Sequence, residues 1–322
     1  MTEPAEAARD VTIVPITTAA QWRDFHALPP RIYADDPHWV RPLRLDRRMQ
    51  FSARHNPFWI AYRGRDPVGT ISAQIDRLHL ERYADATGHF GALEAIDDPA
   101  VVAALLRQAE LWLAREDMTR ALGPVTLSMW EQPGLLVEGF DTPPSVMMGH
   151  ARPYMGGHIE RAGYAKAQDL IAYDYDVTRP MPSTGLRAVQ RANARPDVAF
   201  RPMRMDRRHI KAEIETIVDI MHDAWSDNFG FVPMTQAEVA KIAGELRLVL
   251  RPVDTCIAEV GGRPMAFAMI FPNLNDAIRD LDGRLFPFGW AKLLWRLKVR
   301  RPTTRRMPLM GLRKELQATA LG

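Results

Sequence analysis

One order of secondary-structure signals, namely strand, helix, helix and hairpin, is predicted twice along this chain. In the first half, the strand, a segment of helical composition and the two arms of the hairpin lie at 11–16, 19–28, 58–62 and 68–75. In the second half, the strand, the two helices and the two arms of the hairpin lie at 198–204, 210–225, 236–250, 255–259 and 265–271. Helices that interrupt strands in this way predict a mixed α/β fold. Since the halves share no residue-level identity, the repeat is one of architecture.

The length of the chain and one proline-rich segment predict two domains. At roughly 150 residues per domain, a chain of 322 residues favours two domains over one. Residues 178–185 include two prolines, a serine and a glycine, which is typical of a linker. We therefore predict an N-terminal domain at 1–178, a linker at 179–196 and a C-terminal domain at 197–322.

The clearest single helix follows Asp97 or Asp98, either of which can cap it, and has Pro99 in its first turn. Its apolar residues recur at helical spacing and are expected to belong to the core: Val102, Leu105, Leu106, Ala109 and Leu113. We also expect strands at 89–94, 122–129 and 170–177, and a helix at 146–162.

Composition excludes several classes of protein. Hydrophobic residues make up 47% of the chain and charged residues 25%, which excludes wholesale disorder, collagen and coiled coil. The 42 basic and 39 acidic residues leave a net charge of +3, so nucleic acid is not favoured as a partner. The single cysteine, Cys256, forbids an internal disulfide framework and fits a reducing compartment. We expect Cys256 to be a buried strand residue.

Several familiar signals are absent from the sequence. It has no G-x-S-x-G elbow, P-loop, dinucleotide glycine fingerprint or zinc motif, so the enzyme classes that use them have no support. It also has no signal-peptide core and no run of about eighteen apolar residues. We therefore expect a cytoplasmic protein, for which contact with a membrane surface stays open.

Five short sequence strings in this chain resemble strings that are typical of one protein family. They are Asp-Pro-His-Trp-Val at 36–40, Asn-Pro-Phe at 56–58, Ala-Thr-Gly-His-Phe-Gly at 86–91, Gly-Leu-Leu-Val-Glu-Gly-Phe-Asp at 134–141 and Asn-Phe-Gly-Phe-Val-Pro at 228–233. In them the chain resembles, over nearly its whole length, a bacterial family of GNAT-like N-acyltransferases that includes bacterial ceramide synthases. The resemblance implies two GNAT-like halves. It also implies acyl transfer from a thioester carrier to the amine of a small or lipid acceptor, such as a sphingoid base.

The C-terminal residues bear on the acyl carrier. Residues 306–312 resemble the GNAT strand that precedes the carrier-binding turn, and 317–322 resemble the turn itself. The resemblance implies contacts from Leu312, Gln317 and Gly322 to the co-substrate, which is acyl-CoA or an acyl carrier protein thioester. The helix and strands that follow this turn in a GNAT fold are not in the sequence. We therefore expect a truncated second half that binds acyl-CoA weakly.

Acyl transfer to an amine requires a base that neutralises the amine and donors for the developing oxyanion. Glu131 follows a predicted strand and is a candidate for this role, the alternative being that it satisfies a turn. His150, Tyr154 and His158 recur every four residues and would share one helical face. They form either a proton relay or a set of partly buried polar residues. No third ligand completes them, so we expect no metal.

Three further side chains are candidates for substrate contact. Glu138 lies beside a Gly-Phe pair and either lines a pocket or belongs to a solvated turn. Asn228 starts a rigid corner between a helix and a loop, and Asn275 follows the second hairpin. For Glu138 and Asn228, a purely structural role is the alternative.

A basic stretch without Asp or Glu runs from residue 284 to residue 314. On a helix, one face would hold apolar residues and another would hold cations: Trp290, Leu293, Leu294 and Leu297 against Lys292, Arg296 and Arg300, with Trp295 also in the segment. Aromatic rings beside a cationic face are typical of a helix that lies on an anionic membrane. The alternative is ordinary packing on the second domain.

Together these signals predict a cytoplasmic, two-domain GNAT-like N-acyltransferase that acts peripherally at the inner membrane. Its expected partners are the acyl carrier, an amine substrate and an anionic membrane surface. The alternative is a non-catalytic GNAT-fold binding or regulatory module that has lost the carrier site.

Overall fold

The computed structural model describes residues 11–52, 56–235, 238–240, 244 and 250–317. These residues belong to two compact units. The first unit comprises Met1–Asp169 with Asn275–Leu294, and the second comprises Leu170–Leu274 with Trp295–Gly322. The segment Asn275–Leu294 thus packs with the first unit, although it lies within the predicted C-terminal domain. The domain boundaries at 178 and 196 stay a prediction.

The first unit contains seven strands and five helices within its described N-terminal segment. Its strands are β1 Val11–Pro15, β2 Phe58–Arg63, β3 Asp66–Gln74, β4 Thr87–Ala95, β5 Arg120–Leu122, β6 Val125–Thr126 and β7 Gln132–Pro133. Its helices are α1 Ala19–Ile32, α2 Arg44–Ser52, α3 Arg77–Tyr83, α4 Pro99–Arg115 and α5 Tyr154–Arg161. Two short helices at Leu274–Ile278 and Gly289–Trp295 fall mainly within its second segment.

The five-stranded sheet of the first unit has the order β1-β2-β3-β4-β5. The first four strands are antiparallel, and β5 runs parallel to β4 because α4 crosses over between them. Strand β4 also approaches β6 closely at Gly91, where a Cβ atom would lie 2.1 Å from the Val125 carbonyl oxygen. A side chain at this position would therefore push the two backbones apart.

Helix α4 forms as the sequence predicts. The Asp98 carboxylate accepts a hydrogen bond from the Ala100 amide, and Pro99 occupies the first turn. All of the predicted core residues of this helix are buried: Val102, Leu105, Leu106, Ala109 and Leu113. They pack in one cluster with Ile71 of β3 and Phe90 of β4, so the helix covers one face of the sheet.

The second unit repeats the order of the first. Its elements are α6 Ser183–Asn193, β8 Val198–Pro202, α7 Ile210–Trp225, a 3₁₀ turn at Pro252–Asp254, β9 Thr255–Val260, β10 Arg263–Pro272, β11 Arg305–Leu312 and a short helix at Lys314–Gln317. The antiparallel sheet has the order β11-β10-β9-β8, and α7 buries an apolar face that includes Ile214, Ile217 and Ile220. The predicted α/β repeat is confirmed. The helix expected at 236–250 lies largely outside the described residues.

Four local expectations were wrong. Residues 170–177 alternate like a strand but have no regular structure, and Tyr173 and Val177 are almost fully exposed because no neighbouring strand pairs with them. The expected helix at 146–162 begins only at Tyr154, directly after Pro153. The expected strand at 122–129 is divided, since Pro124 has no N–H to donate. Cys256 lies in β9 as expected, but it is exposed.

Candidate active site and neighbouring basic cavity

Glu94, near the end of β4, is the most strongly perturbed carboxyl group near the predicted catalytic residues. Tyr33 donates a hydrogen bond from its hydroxyl to Glu94 Oε2 over 2.8 Å. Burial raises the pKa of Glu94 to about 7, although the charge of Arg47 and the hydrogen bond from Tyr33 act in the opposite direction. A carboxyl group with this pKa exchanges a proton readily near neutral pH, which is what a general base requires.

Tyr33 caps the C-terminus of α1 and is held on several sides. Its ring stacks on Trp39 with 5.1 Å between centroids and lies 5.5 Å from the His150 ring. Burial raises the pKa of Tyr33 well above its ordinary value, and the adjacent Glu94 acts in the same direction. Tyr33 therefore stays protonated and acts as a hydrogen-bond donor.

His150 is fixed by a carboxylate from the loop after α1. Its Nε2 lies 2.8 Å from Asp36 Oδ2, and the His150 side chain is only 5% exposed. Although burial opposes it, the hydrogen bonds from His150 and from the His38 and Trp39 amides lower the pKa of Asp36. The Arg152 guanidinium lies 3.8 Å from Asp36 Oδ2. Asp36 thus stays ionised and orients the His150 ring against Tyr33.

Tyr154 reaches the same end of β4 from α5. Its hydroxyl donates to the Ala95 carbonyl oxygen over 2.7 Å, and burial raises the pKa of Tyr154 to about 12. His150 precedes this helix, so the prediction that it shares a helical face with Tyr154 and His158 was wrong. His158 instead pairs with Asp97 over 2.7 Å. The structure therefore brings His150 and Tyr154 to the Glu94 region, but not as a relay along one helix.

Of the other predicted residues of the first unit, Glu131 and Glu138 lie in turns, and Asn275 lies in the short helix Leu274–Ile278. Glu131 is partly buried in a turn before β7, where its amide donates to the Ser128 carbonyl. Glu138 is exposed beside a turn that Thr142 closes by donating to the Gly139 carbonyl. Asn275 donates from Nδ2 to the Pro144 carbonyl over 2.7 Å. Their roles in catalysis or substrate binding stay predictions.

Just before the predicted carrier turn at 317–322, two carboxylates bind Lys314. The Lys314 amide donates to Asp223 over 2.8 Å, and Lys314 Nζ donates to Asp227 over 2.6 Å. Gln317 donates from Nε2 to the Leu312 carbonyl over 2.8 Å. An anionic carrier at this turn would compete with these carboxylates. Gly322 lies outside the described residues.

Asn228, the predicted substrate residue of the second unit, is exposed at the end of α7. Its carbonyl accepts a hydrogen bond from the Phe231 amide, which makes the turn that the sequence predicts as a rigid corner. Gly230 completes this corner with a φ of 66°, a left-handed conformation that favours glycine.

The basic segment divides its apolar residues between two environments. Leu293 packs against a cluster formed by Val40, Ile278 and Leu281, whereas Trp290 is half exposed. Leu294 and Trp295 are also half exposed, and Phe286 and Phe288 are 80% and 78% exposed. Among the cations, Lys292 pairs with Asp280 over 2.5 Å, and Arg296 begins a π-helical turn at Arg296–Arg300. The membrane role of this segment stays a prediction.

A cavity of about 210 Å³ lies on the α1–α2 side of the first unit. Five arginines and one histidine contribute to its wall: Arg23, Arg41, Arg44, Arg47, Arg48 and His26. Burial lowers the pKa of His26 to about 4, and the charges of Arg47 and Arg48 act in the same direction. The cavity therefore has a strongly positive potential.

Two searches of the described residues were negative. No group of three or more His, Cys, Asp and Glu residues among them could hold a metal ion. Within the same residues, no helix is both long enough and apolar enough to cross a membrane.

Comparison with curated proteins identifies the family. The chain is 44% identical to the bacterial ceramide synthase of Caulobacter vibrioides (strain NA1000 / CB15N), over 97% of this chain and 83% of that protein. The chain belongs to this family of GNAT-like N-acyltransferases. A second member, Protein YghO of Escherichia coli (strain K12), is 43% identical over 92% of this chain and 77% of its own length. No protein-family model matches the chain.

The solved structures support the fold assignment. The GCN5-related glucosamine N-acetyltransferase region of a fungal multi-domain GH3 beta-N-acetylglucosaminidase superposes with a TM-score of 0.56. The match covers 99% of this chain and 33% of that chain at 12% identity, so it shows the fold alone. The family and the GNAT-type mixed α/β fold expected from the sequence strings are thereby confirmed. This GNAT-like N-acyltransferase accordingly transfers an acyl group to an amine.

Sequence reasoning about this N-acyltransferase missed Glu94, Tyr33 and the arginines of the cavity. Glu94 had a signal, because it is the one acidic residue within the predicted strand at 89–94. Tyr33 had none, since its partner lies 61 residues away along the chain. The basic residues are dispersed over 23–48, and only folding of α1 and α2 gathers them around one cavity.

Proposed function

We propose that this chain N-acylates a long-chain amine such as a sphingoid base, using a CoA or carrier-protein thioester as the donor and Glu94 as the general base. The observation that carries the proposal is the position of Glu94, which is partly buried, accepts a hydrogen bond from Tyr33 and has a pKa raised to about 7. Near neutral pH, a substantial fraction of such a group is ionised and can accept a proton from an alkylammonium or amine.

The reaction needs no covalent intermediate on the protein. The acceptor reacts as the neutral amine, an ammonium form having first lost one proton to water. The amine lone pair attacks the thioester carbonyl, and Glu94 takes the proton that the nitrogen loses as it becomes an amide. A C–N bond forms, the C–S bond breaks, and the thiolate that leaves takes the proton back from Glu94. Tyr33 stays protonated throughout and orients the Glu94 carboxylate. His150 positions the Tyr33 ring, with which it is in contact at 5.5 Å between centroids.

The acceptor class is inferred from the relative and from the exposed aromatics. The similar Caulobacter protein is named for ceramide synthesis, in which the acceptor is a sphingoid amine. Phe286 and Phe288 project into solvent at 80% and 78% exposure on a segment that also contains Trp290. Exposed rings beside cations favour contact with an anionic bilayer, where a long-chain amine resides. We place the protein at the cytoplasmic face of the membrane on this basis.

A binding module without activity is the second candidate function. It is favoured by carboxylates that occupy two helix N-termini, the kind of position at which a protein binds an anion. Asp98 caps α4 and pairs with Arg63, and Asp223 binds the Lys314 amide in the second unit. In that case the chain would bind the amine or the donor and turn over neither.

The direct test is the Glu94→Gln variant of the full chain, assayed with a long-chain amine in anionic vesicles and with either acyl-CoA or acyl carrier protein thioester. We expect kcat to fall by about 10²- to 10⁴-fold, the usual contribution of a positioned base. Glu116→Gln, the same change at an exposed position after α4, is the control and should retain full activity. Full activity of Glu94→Gln would exclude Glu94 as the base. No turnover by the unaltered chain with either donor would favour the binding module.

A further inference from the structure

The arginine cavity has too few carboxylates to balance its charge. No acidic residue contributes to its wall within the described chain, and among its arginines only Arg41 forms an ion pair there, with Asp282 over 2.6 Å. Arg23, Arg44 and Arg48 have no carboxylate within ion-pair distance among the described residues. Like charges gathered in one concave space repel each other, so this arrangement favours an anionic ligand.

Arg47 is the innermost cation of the cavity. Its guanidinium lies 5.1 Å from the centre of the Phe25 ring and 5.0 Å from the centre of the Phe51 ring. Its buried Nε has no hydrogen-bond partner in the part of the chain that the structure describes. Burial lowers the pKa of Arg47, which is the mark of a desolvated cation. A buried donor with no acceptor is costly, and a ligand oxygen would satisfy it.

The composition of the cavity wall favours a phosphate ester over other anions. A carboxylate needs a single arginine fork, whereas a phosphate ester has up to two charges and three free oxygens, which several forks can bind. The remaining wall is largely apolar and rigid, being formed by Ala27, Pro29, Pro30, Pro42 and Trp39. A small, half-open cavity of this kind fits a discrete anionic group attached to a larger molecule better than an extended polyanion.

The usual anion site of the first unit is already filled by the protein. The N-terminus of α4 is capped by the Asp98 carboxylate, which also pairs with Arg63 over 2.5 Å. Asp97 follows β4 immediately before it and is paired with His158. A phosphate at this helix end would meet two carboxylates. The arginine cavity is therefore the better phosphate site of this unit.

The cavity adjoins the proposed base. Arg47 contributes to the cavity wall and its charge acts on Glu94. Trp39, another wall residue, stacks on Tyr33, whose hydroxyl binds Glu94. We propose that the arginine cavity binds a phosphate ester group of one of the two substrates and so holds that substrate beside Glu94. The assignment to a substrate rests on the proposed function, whereas phosphate binding itself does not.

Binding is tested without turnover, by calorimetry of the full chain with pyrophosphate, CoA, and a long-chain amine with or without a phosphate ester. We expect the Arg23→Gln/Arg44→Gln/Arg48→Gln variant to lose at least tenfold in affinity for the phosphorylated ligands. A matched variant, Arg65→Gln/Arg107→Gln/Arg115→Gln, removes three exposed arginines outside the cavity and should bind within twofold of the unaltered chain. No phosphate-dependent binding by the unaltered chain, or equal binding by both triple variants, overturns the proposal.

The source of the phosphate is read from two further comparisons. If the donor supplies it, CoA binds more tightly than pantetheine, which lacks phosphate, and the cavity variant raises KM for the thioester. If the acceptor supplies it, the phosphorylated amine binds more tightly than the free amine, and KM for the amine rises instead. An unchanged KM for both substrates overturns the assignment to a substrate. Glu94→Gln should bind phosphate normally, so failure of the base and failure of the cavity are distinguishable.

Discussion

The sheets of the two units share their antiparallel order but differ in how their faces are covered. In β3 of the first unit seven consecutive residues are buried, so both faces of that strand are covered. In β10 of the second unit buried and less buried residues alternate along most of the strand, because α7 packs on one face. On the other face, Phe200 and Met310 are about half exposed.

This difference in burial places the titratable chemistry in the first unit. Glu94 lies at a partly buried position near the end of β4, the strand that pairs with β3, and the desolvation of its carboxyl group raises its pKa to about 7. The fourth strand of the second unit, β11, contains no acidic residue, and its Met307 and Met310 are exposed. The fourth strand of the first unit therefore carries a carboxyl group with a raised pKa, whereas that of the second unit lies beside an open apolar surface.

The largest effect on stability should come from the doubly covered sheet. Ile71→Ala, at a fully buried position of β3, should lower the free energy of unfolding by about 2–5 kcal/mol. Phe200→Ala, at a half-exposed position of β8, should cost about 1 kcal/mol or less, although it removes more atoms. Urea denaturation of the two variants measures both values. Equal losses would show that the open face is covered in solution.

Acid should destabilise the first unit through His89. This side chain is 1% exposed with neither ring nitrogen hydrogen-bonded in the described structure, and burial lowers its pKa from 6.5 to about 4. The unfolded chain binds the proton first, so stability is complete above pH 6.5 and falls progressively down to about pH 4. The loss amounts to at most about 3 kcal/mol.

His89→Leu should flatten this part of the pH dependence in thermal unfolding measured between pH 4 and pH 7. His209→Gln is the control in the second unit, because His209 is 47% exposed and paired with Asp206. A His89→Leu variant with the same acid loss as the unaltered chain would exclude His89 as its source.

A smaller effect is expected on the pH profile of the acyl transfer. Tyr33→Phe removes the hydrogen bond that lowers the pKa of Glu94, so this pKa rises and the active, ionised form appears at higher pH. The ascending limb of kcat should move up by about 0.5–1 pH unit, since a hydrogen bond to a charged group contributes about 1 kcal/mol or more. Tyr62→Phe, which removes a comparable bond to Asp24, should leave the limb in place.

The smallest effect is expected at Cys256, in the open face of the second sheet. Because the residue is exposed, Cys256→Ser should change the free energy of unfolding by about 0.5 kcal/mol or less. The thiol of the native chain should also react stoichiometrically with a water-soluble maleimide. A thiol that reacts only after denaturation would mean that this face is covered.

Local pattern was sufficient for much of the fold. The stripe of α4 needs only helical spacing and a cap, and the prediction from Asp98 to Leu113 was correct because both signals are local. A local pattern was misleading at 170–177, where apolar residues alternate as in a strand but no strand pairs with them in the described structure. Alternation predicts which residues would share a face of a strand, but pairing depends on a second strand elsewhere in the chain.

By itself, the sequence determined the order of strands and helices, their repetition and the family, since spacing, caps and short strings are properties of contiguous residues. Only the tertiary structure decided the chemistry of the site. Tyr33 and Glu94 meet across 61 residues, and five arginines from two helices and a loop surround one cavity. The pKa of Glu94 is raised because packing removes water from its carboxyl group. Desolvation and charge proximity are properties of packing in space, which no local pattern encodes.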